Sequence, residues 1–137
     1  ATINVGQYNL KFSAKQINKR TINVDLQIID TAGTEKFNAI TSSAIRNANV
    51  CLLIFDLANK QSFEEAIKWK QLQDANANGC YFILVGNKCD LKREIDYQAI
   101  QNFINNNDIQ QYIECSAKLG YNIQKLLQIQ WPSKHEE

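Results

Sequence analysis

Apolar and polar positions alternate along much of the chain, and the period of that alternation changes from segment to segment. From Thr21 to Ile29, Ile22, Val24, Leu26 and Ile28 share one face while Thr21, Asn23, Asp25 and Gln27 share the other. A period of two predicts a half-buried strand. Gln7 to Ile17 alternates more weakly, with Tyr8, Leu10 and Phe12 set against Asn9, Lys11 and Ser13. It reads as the antiparallel partner, joined through a turn near Asn18-Lys19-Arg20. Val50 to Phe55 and Tyr81 to Val85 are apolar on both faces, which predicts strands covered by helices on each side, as in a parallel sheet. A shorter strand is expected at Tyr112 to Cys115.

Helical spacing fills the intervals. Ser62-Phe63-Glu64-Glu65 has the form of a capping box, in which the Ser62 hydroxyl and the Glu65 carboxylate satisfy free backbone N–H groups. Phe63, Ala66, Ile67 and Lys70 follow at helical spacing, and Gly79 is the expected stop. A second helix is predicted from about Asp96 to Asn105 with Ala99, Ile100, Phe103 and Ile104 on one face; a third starts near Asn122 with Ile123, Leu126 and Leu127. Strands alternating with helices define an open α/β sheet, whose ligands gather at the carboxyl ends of the parallel strands. Chemistry is therefore expected just after Ile29, Phe55, Val85 and Cys115.

Composition narrows the classes. With 137 residues, 45% hydrophobic and 21% charged, the chain matches a single globular domain. A net charge of +1 provides no field to attract nucleic acid or an anionic membrane. No apolar run approaches the roughly 20 residues of a membrane helix. Cys51, Cys80, Cys89 and Cys115 form no CxxC pair and sit in or beside apolar stretches, so buried reduced thiols are expected in a cytoplasmic setting. His135 is the only histidine, which excludes a clustered zinc site. The sequence contains no Met, so Ala1 follows either initiator removal or further upstream residues. Residues 131–137 form a polar tail with no C-terminal Cys, hence no prenylation signal and no membrane anchor in this chain.

Three short motifs fall at the expected strand ends. In Asp30-Thr31-Ala32-Gly33, a carboxylate can hold a metal-bound water and the Gly33 N–H can approach a terminal phosphate. In Asn87-Lys88-Cys89-Asp90, the two Asp90 oxygens match the adjacent N1–H and N2–H₂ donors of guanine. Adenine would leave that carboxylate unpaired, a mismatch that discriminates by on the order of 10⁴ when the group is buried. Asn87 can tie the loop together and reach N7, while the Lys88 stem covers the base. In Ser116-Ala117-Lys118, the Ala117 N–H could donate to guanine O6 and the Lys118 stem cover the base. Each motif alone is an ordinary turn; their order and placement together point to a guanine nucleotide.

Asp30-Thr31-Ala32-Gly33-Thr34-Glu35, Asn87-Lys88-Cys89-Asp90-Leu91 and Glu114-Cys115-Ser116-Ala117-Lys118 resemble nucleotide-binding motifs of Ras-superfamily small GTPases. Ser62 to Trp69 and Leu84 to Leu91 resemble the Rab branch in particular. The resemblance implies a P-loop NTPase-like fold, an open, mostly parallel sheet with helices on both faces, N-terminally truncated. It makes residues 1–130 a partial G domain followed by the tail. It implies GTP/GDP and Mg²⁺ as ligands: Thr2 and Asp30 toward the metal, Gly33 and Thr34 in the catalytic switch, and Asn87, Lys88, Asp90, Ser116, Ala117 and Lys118 in the guanine pocket. Regulatory and effector proteins would meet Thr2 to Gly6 and Gly33 to Phe37. The implied role is a GTP-hydrolysing switch in vesicle trafficking, cytoplasmic, and peripheral on endomembranes if the protein is lipidated. The alternative is a degenerate pseudo-GTPase acting as a structural or protein-interaction subunit without hydrolysis.

Three departures qualify the resemblance. No G-x-x-x-x-G-K-[ST] loop is present, and the strand that leads into it in the family is missing between those ending at Ile29 and Phe55. That absence leaves a gap of about 10 Å with unpaired backbone on its flanks, so these residues alone are not expected to form a stable nucleotide-binding domain; either the protein is longer, or another segment or chain supplies the missing strand. Thr34 stands where most of the family carries the water-orienting Gln, as in the Rap branch, which should slow intrinsic hydrolysis. Ile29 replaces the usual Rab Trp and the stretch before Asp30 is longer, which questions Rab-type effector recognition. Elsewhere, Phe63 and Trp69 read as packing, Glu64-Glu65 as a helix start, Lys92-Arg93-Glu94 as a solvated loop, and Asn105 to Asp108 as a helix exit.

Overall fold

The computed structural model describes residues 6–17, 20–30, 48–76 and 80–127. The chain divides into two compact units, Ala1–Ala44 and Ile45–Glu137.

The first unit contains a two-stranded antiparallel ladder of β1 (Gly6–Ile17) and β2 (Arg20–Asp30). Tyr8, Leu10 and Phe12 stand in register with Ile28, Leu26 and Val24, so the two alternations coincide. Between the Phe12–Val24 and Lys15–Ile22 pairs, β1 advances three residues and β2 only two. This bulge shifts the parity of β1 and explains why its alternation weakens after Phe12. The Ile17–Arg20 pair flanks the expected turn, while Asn18 and Lys19 lie outside the described residues.

The second unit is a three-stranded parallel sheet in the order β3 (Val50–Asp56), β4 (Tyr81–Asn87), β5 (Gln111–Glu114). Helix α1 (Lys60–Asn76) links β3 to β4, α2 (Tyr97–Asn106) links β4 to β5, and α3 (Ile123–Leu127) follows β5. Among the described residues no strand pairs with both β2 and β3. Gly79, the expected stop of α1, lies outside the described residues.

Two apolar clusters sandwich β4. On one face Cys51, Leu53, Phe55, Phe82 and Leu84 pack with Phe63 and Ala66 of α1 and Ile100 and Phe103 of α2. The rings form a chain, with Phe55 and Phe63 centroids 5.1 Å apart and Phe63 and Phe103 5.7 Å apart. Each fully buried aromatic of this kind stabilises by roughly 1.5–3 kcal/mol. On the other face Ile83, Val85, Ile113 and Cys115 pack with Ile123 and Leu126 of α3. Helices therefore lie on both faces of the sheet, as expected. The expectation that β3 is covered on both sides fails: Leu52 is 45% and Ile54 59% exposed. Among the described residues the short helix α3 packs on the β4 and β5 side chains of that face, and an apolar run does not by itself require two covered faces.

The capping box is also corrected. Asn59, not Ser62, caps α1: its Oδ1 accepts from the Ser62 N–H at 3.3 Å. Ser62 sits inside the first turn, where its Oγ accepts from the Asp56 N–H at 2.8 Å and lies within donating distance of the Asp56 and Asn59 carbonyls. The hydroxyl thus ties the end of β3 to the start of α1. In α2, Asp96 is the cap, accepting from the Gln98 N–H at 3.2 Å. At the far end Asn107 Nδ2 donates to the Phe103 carbonyl at 2.9 Å, the expected helix exit. Lys70 is buried, its ammonium 4.3 Å from the Phe82 ring centroid and paired with Asp74 at the surface. Among the described residues no helix is long and apolar enough to cross a membrane.

Candidate functional site

The three parallel strands end level, with Asp56 in register with Asn87 and Gly86 with Glu114. Backbone hydrogen bonds lock these ends together: Leu57 N–H to the Asn87 carbonyl at 3.0 Å, Cys115 N–H to the Gly86 carbonyl at 2.8 Å, and Cys89 N–H to the Cys115 carbonyl at 3.0 Å. The loops that leave β4 and β5 are consequently side by side.

Asn87 staples them. Its Oδ1 accepts from the Ala117 N–H at 3.0 Å and from the Cys115 thiol at 3.7 Å. With the oxygen committed to the second loop, the Nδ2 amine is the end of the side chain left for an acceptor such as purine N7. Lys88 holds φ 61°, an uncommon conformation for a residue with a Cβ, and the Leu91 N–H returns to the Lys88 carbonyl at 3.0 Å. Asp90 lies at the exposed tip of that turn and joins no ion pair among the described residues.

The second loop is held from below. Ser116 is buried, pairs its backbone with Tyr121 in both directions, and accepts from the Leu119 N–H through Oγ at 3.2 Å. Asn122 Nδ2 donates to the Glu114 carbonyl at 2.8 Å. Ala117 and Lys118 are left exposed at the rim. Burial raises the Cys115 thiol above its ordinary value, so it stays protonated near neutral pH.

The six residues expected to read the base thus occur on two stapled loops. One detail differs from expectation: the Ala117 N–H assigned to guanine O6 is directed at Asn87 Oδ1 here. Asp30 is the last residue of β2, in register with Gly6 in the first unit. Thr2, Gly33 and Thr34 lie outside the described residues, as does the Gly33 to Phe37 segment; of Thr2 to Gly6 only Gly6 is described.

Sequence reasoning marked the end of β3 but named no side chain there. That residue is Asp56, whose Oδ2 accepts from Lys88 Nζ at 2.8 Å and whose Oδ1 accepts from the Ala58 N–H at 2.9 Å. Burial pushes this carboxyl upward, but the Lys88 ammonium and the Ala58 N–H outweigh it, leaving it below the usual carboxylate value. A carboxylate closing a strand was the signal used for Asp30, and it applied equally here.

A second network was missed as well. Arg93 Nη2 donates to Glu114 Oε1 at 2.5 Å, and Tyr112 Oη donates to Glu114 Oε2 at 2.5 Å. The Glu94 N–H reaches the Leu57 carbonyl at 2.9 Å. Lys92-Arg93-Glu94 is an exposed loop, as expected, and is in addition pinned to the sheet by these contacts. The Glu114 hydrogen bond raises Arg93 against the opposing effect of burial; burial and the same carboxylate raise Tyr112 far above an ordinary phenol.

A family model described as Ras family matches residues 2–131. The chain belongs to the Ras family. It is 36% identical over 118 residues to Ras-related protein Rab-12 of Mus musculus, covering 84% of this chain and 49% of that protein. It is 37% identical over 118 residues to Ras-related protein Rab-30 of Homo sapiens, covering 84% and 58% respectively. The chain spans about half the length of the curated relatives it matches. It is a Rab-like member of the Ras family, and the mixed α/β architecture with its parallel strands is the one that family uses.

Proposed function

We propose that this chain reads the base in a guanine-nucleotide switch: the full-length protein binds GTP and GDP, hydrolyses GTP, and acts in vesicle trafficking. The supporting observation is the Asn87 staple, which aligns the loop carrying Asp90 beside the loop carrying Ala117 and Lys118. In this reading Asp90 accepts from N1–H and N2–H₂, Asn87 Nδ2 donates to N7, and the stems of Lys88 and Lys118 cover the base. Ser116 shapes its loop through the Leu119 and Tyr121 hydrogen bonds.

Thr2 and Asp30 would supply a hydroxyl and a carboxylate, the oxygen chemistry suited to Mg²⁺, which would neutralise phosphate charge when bound. Gly33 would offer its N–H to the terminal phosphate, and Thr34 would stand beside the attacking water. Residues 1–130 are assigned to the G domain, with Thr2 to Gly6 and Gly33 to Phe37 as the segments that meet regulators and effectors. The protein would work in the cytoplasm, and peripherally on endomembranes if the full-length protein is lipidated.

Thr34 favours a second reading, a pseudo-GTPase that binds partners without hydrolysis. Equilibrium binding of fluorescent GDP and ADP to the full-length protein, followed by single-turnover hydrolysis of GTP, tests both. Guanine-selective binding with phosphate release supports the switch. Selective binding without release supports the second reading, and binding of neither nucleotide contradicts the assignment of the site.

A further inference from the structure

We propose that Asp56 is a positioning residue for the guanine site, acting through Lys88. The inference rests on the nucleotide-binding reading above and adds to it a residue from a third strand end.

Lys88 faces two demands. Its backbone is held at φ 61°, and its long stem must lie flat against a base. A free lysine chain loses about 2 kcal/mol of rotamer freedom when it is fixed in one conformation. Fixing the ammonium beforehand removes part of that cost from the binding step. Asp56 is built to do so. Its two oxygens have separate tasks: Oδ1 takes the Ala58 N–H and Oδ2 takes Lys88 Nζ. Its backbone is fixed in turn, since the Asp56 N–H donates to Ser62 Oγ at 2.8 Å and Asp56 stands in register with Asn87. The carboxylate is therefore placed by the strand pairing and by the first turn of α1 before any ligand arrives. The alternative is an ordinary surface ion pair of negligible effect. The Asp56 side chain is only 20% exposed against 52% for Lys88, which identifies the carboxylate as the anchored partner and the lysine as the group being held.

Four variants of the full-length protein test this: Asp56→Asn, Asp56→Glu, Lys88→Ala and the Asp56→Asn/Lys88→Ala double. Asn retains an oxygen for the Ala58 N–H while removing the charge that faces Lys88, so the fold is preserved. The readout is the dissociation rate of fluorescent GDP, with the preference for GDP over xanthosine diphosphate measured alongside. Because Lys88 is half exposed, Asp56→Asn is expected to speed release about tenfold rather than a hundredfold. Base preference should be unchanged, Asp56→Glu should recover most of the loss, and the double variant should be no worse than Lys88→Ala alone. A purely structural role would add its full effect on top of Lys88→Ala, and that additivity overturns the inference, as does an unchanged rate in Asp56→Asn. If wild-type protein takes up no guanine nucleotide, the functional reading falls and this inference falls with it. If wild type binds and the cycle is additive, only the inference is lost.

Discussion

Substituting Gly86 with Ala tests the packing that brings the strand ends together. A Cβ at this position would lie 3.0 Å from Tyr112 Oη and 3.1 Å from both Cγ and Cδ2 of Leu57. None of these neighbours can retreat easily. Leu57 is fully buried, and Tyr112 is held by its hydrogen bond to Glu114 and by stacking on Phe55 at 6.5 Å between centroids. Overpacking of this kind costs about 1–3 kcal/mol. Against it stands a gain of about 0.4–1 kcal/mol from restricting the unfolded chain, since Gly86 is outside the left-handed region. The net expectation is a destabilisation of about 1–2 kcal/mol, measured by urea unfolding of the full-length protein and its variant. Adding Tyr112→Phe removes the closest atom, so the double variant should recover about 0.5–1 kcal/mol relative to the sum of the singles. A Gly86→Ala protein as stable as wild type, or a strictly additive double, would show that the strand ends are looser than described.

Tyr112 also predicts behaviour in alkali. Its phenol is raised in the folded state by burial and by Glu114, so its contribution is fully present below about pH 10, where the unfolded phenol titrates, and fades as pH rises beyond that. Wild type should lose stability above pH 10 more steeply than Tyr112→Phe; parallel curves would refute this. The buried Lys70 gives an asymmetric pair. Lys70→Met keeps the stem against Phe82 and leaves only the surface carboxylate of Asp74 behind, so it should cost less than about 1 kcal/mol. Asp74→Asn strands a buried ammonium and should cost more, about 1–3 kcal/mol; thermal unfolding giving the reverse order would contradict the described burial.

Much of this was legible in one sequence because it is written in contiguous residues. The runs at Val50 to Phe55 and Tyr81 to Val85 became β3 and β4, and the residues proposed to read the base lie within two short motifs that fall at strand ends. What escaped depends on which groups meet in space. The Ser62 hydroxyl serves the end of β3 rather than its own helix, so a pattern for helix starts misplaced the cap. The exposure of Leu52 and Ile54 depends on which elements pack against β3, which their own apolar run does not encode. Asp56 closes β3 while Lys88 opens the loop after β4, and Arg93 and Glu114 belong to a loop and a strand; only the parallel register brings each pair together. The bulge after Phe12 is a similar case, visible in sequence only as a fading alternation.

The most direct measurement is the dissociation constant of the full-length protein for guanosine, xanthosine and adenosine diphosphates, before and after Asp90→Asn. An acidic side chain that accepts from N1–H and N2–H₂ should favour guanosine over adenosine in wild type. The Asn amide, now able to donate to the carbonyl that xanthine carries at C2, should move the preference to xanthosine. Equal affinity of wild type for adenosine and guanosine, or an Asp90→Asn protein that still prefers guanosine, would contradict the account.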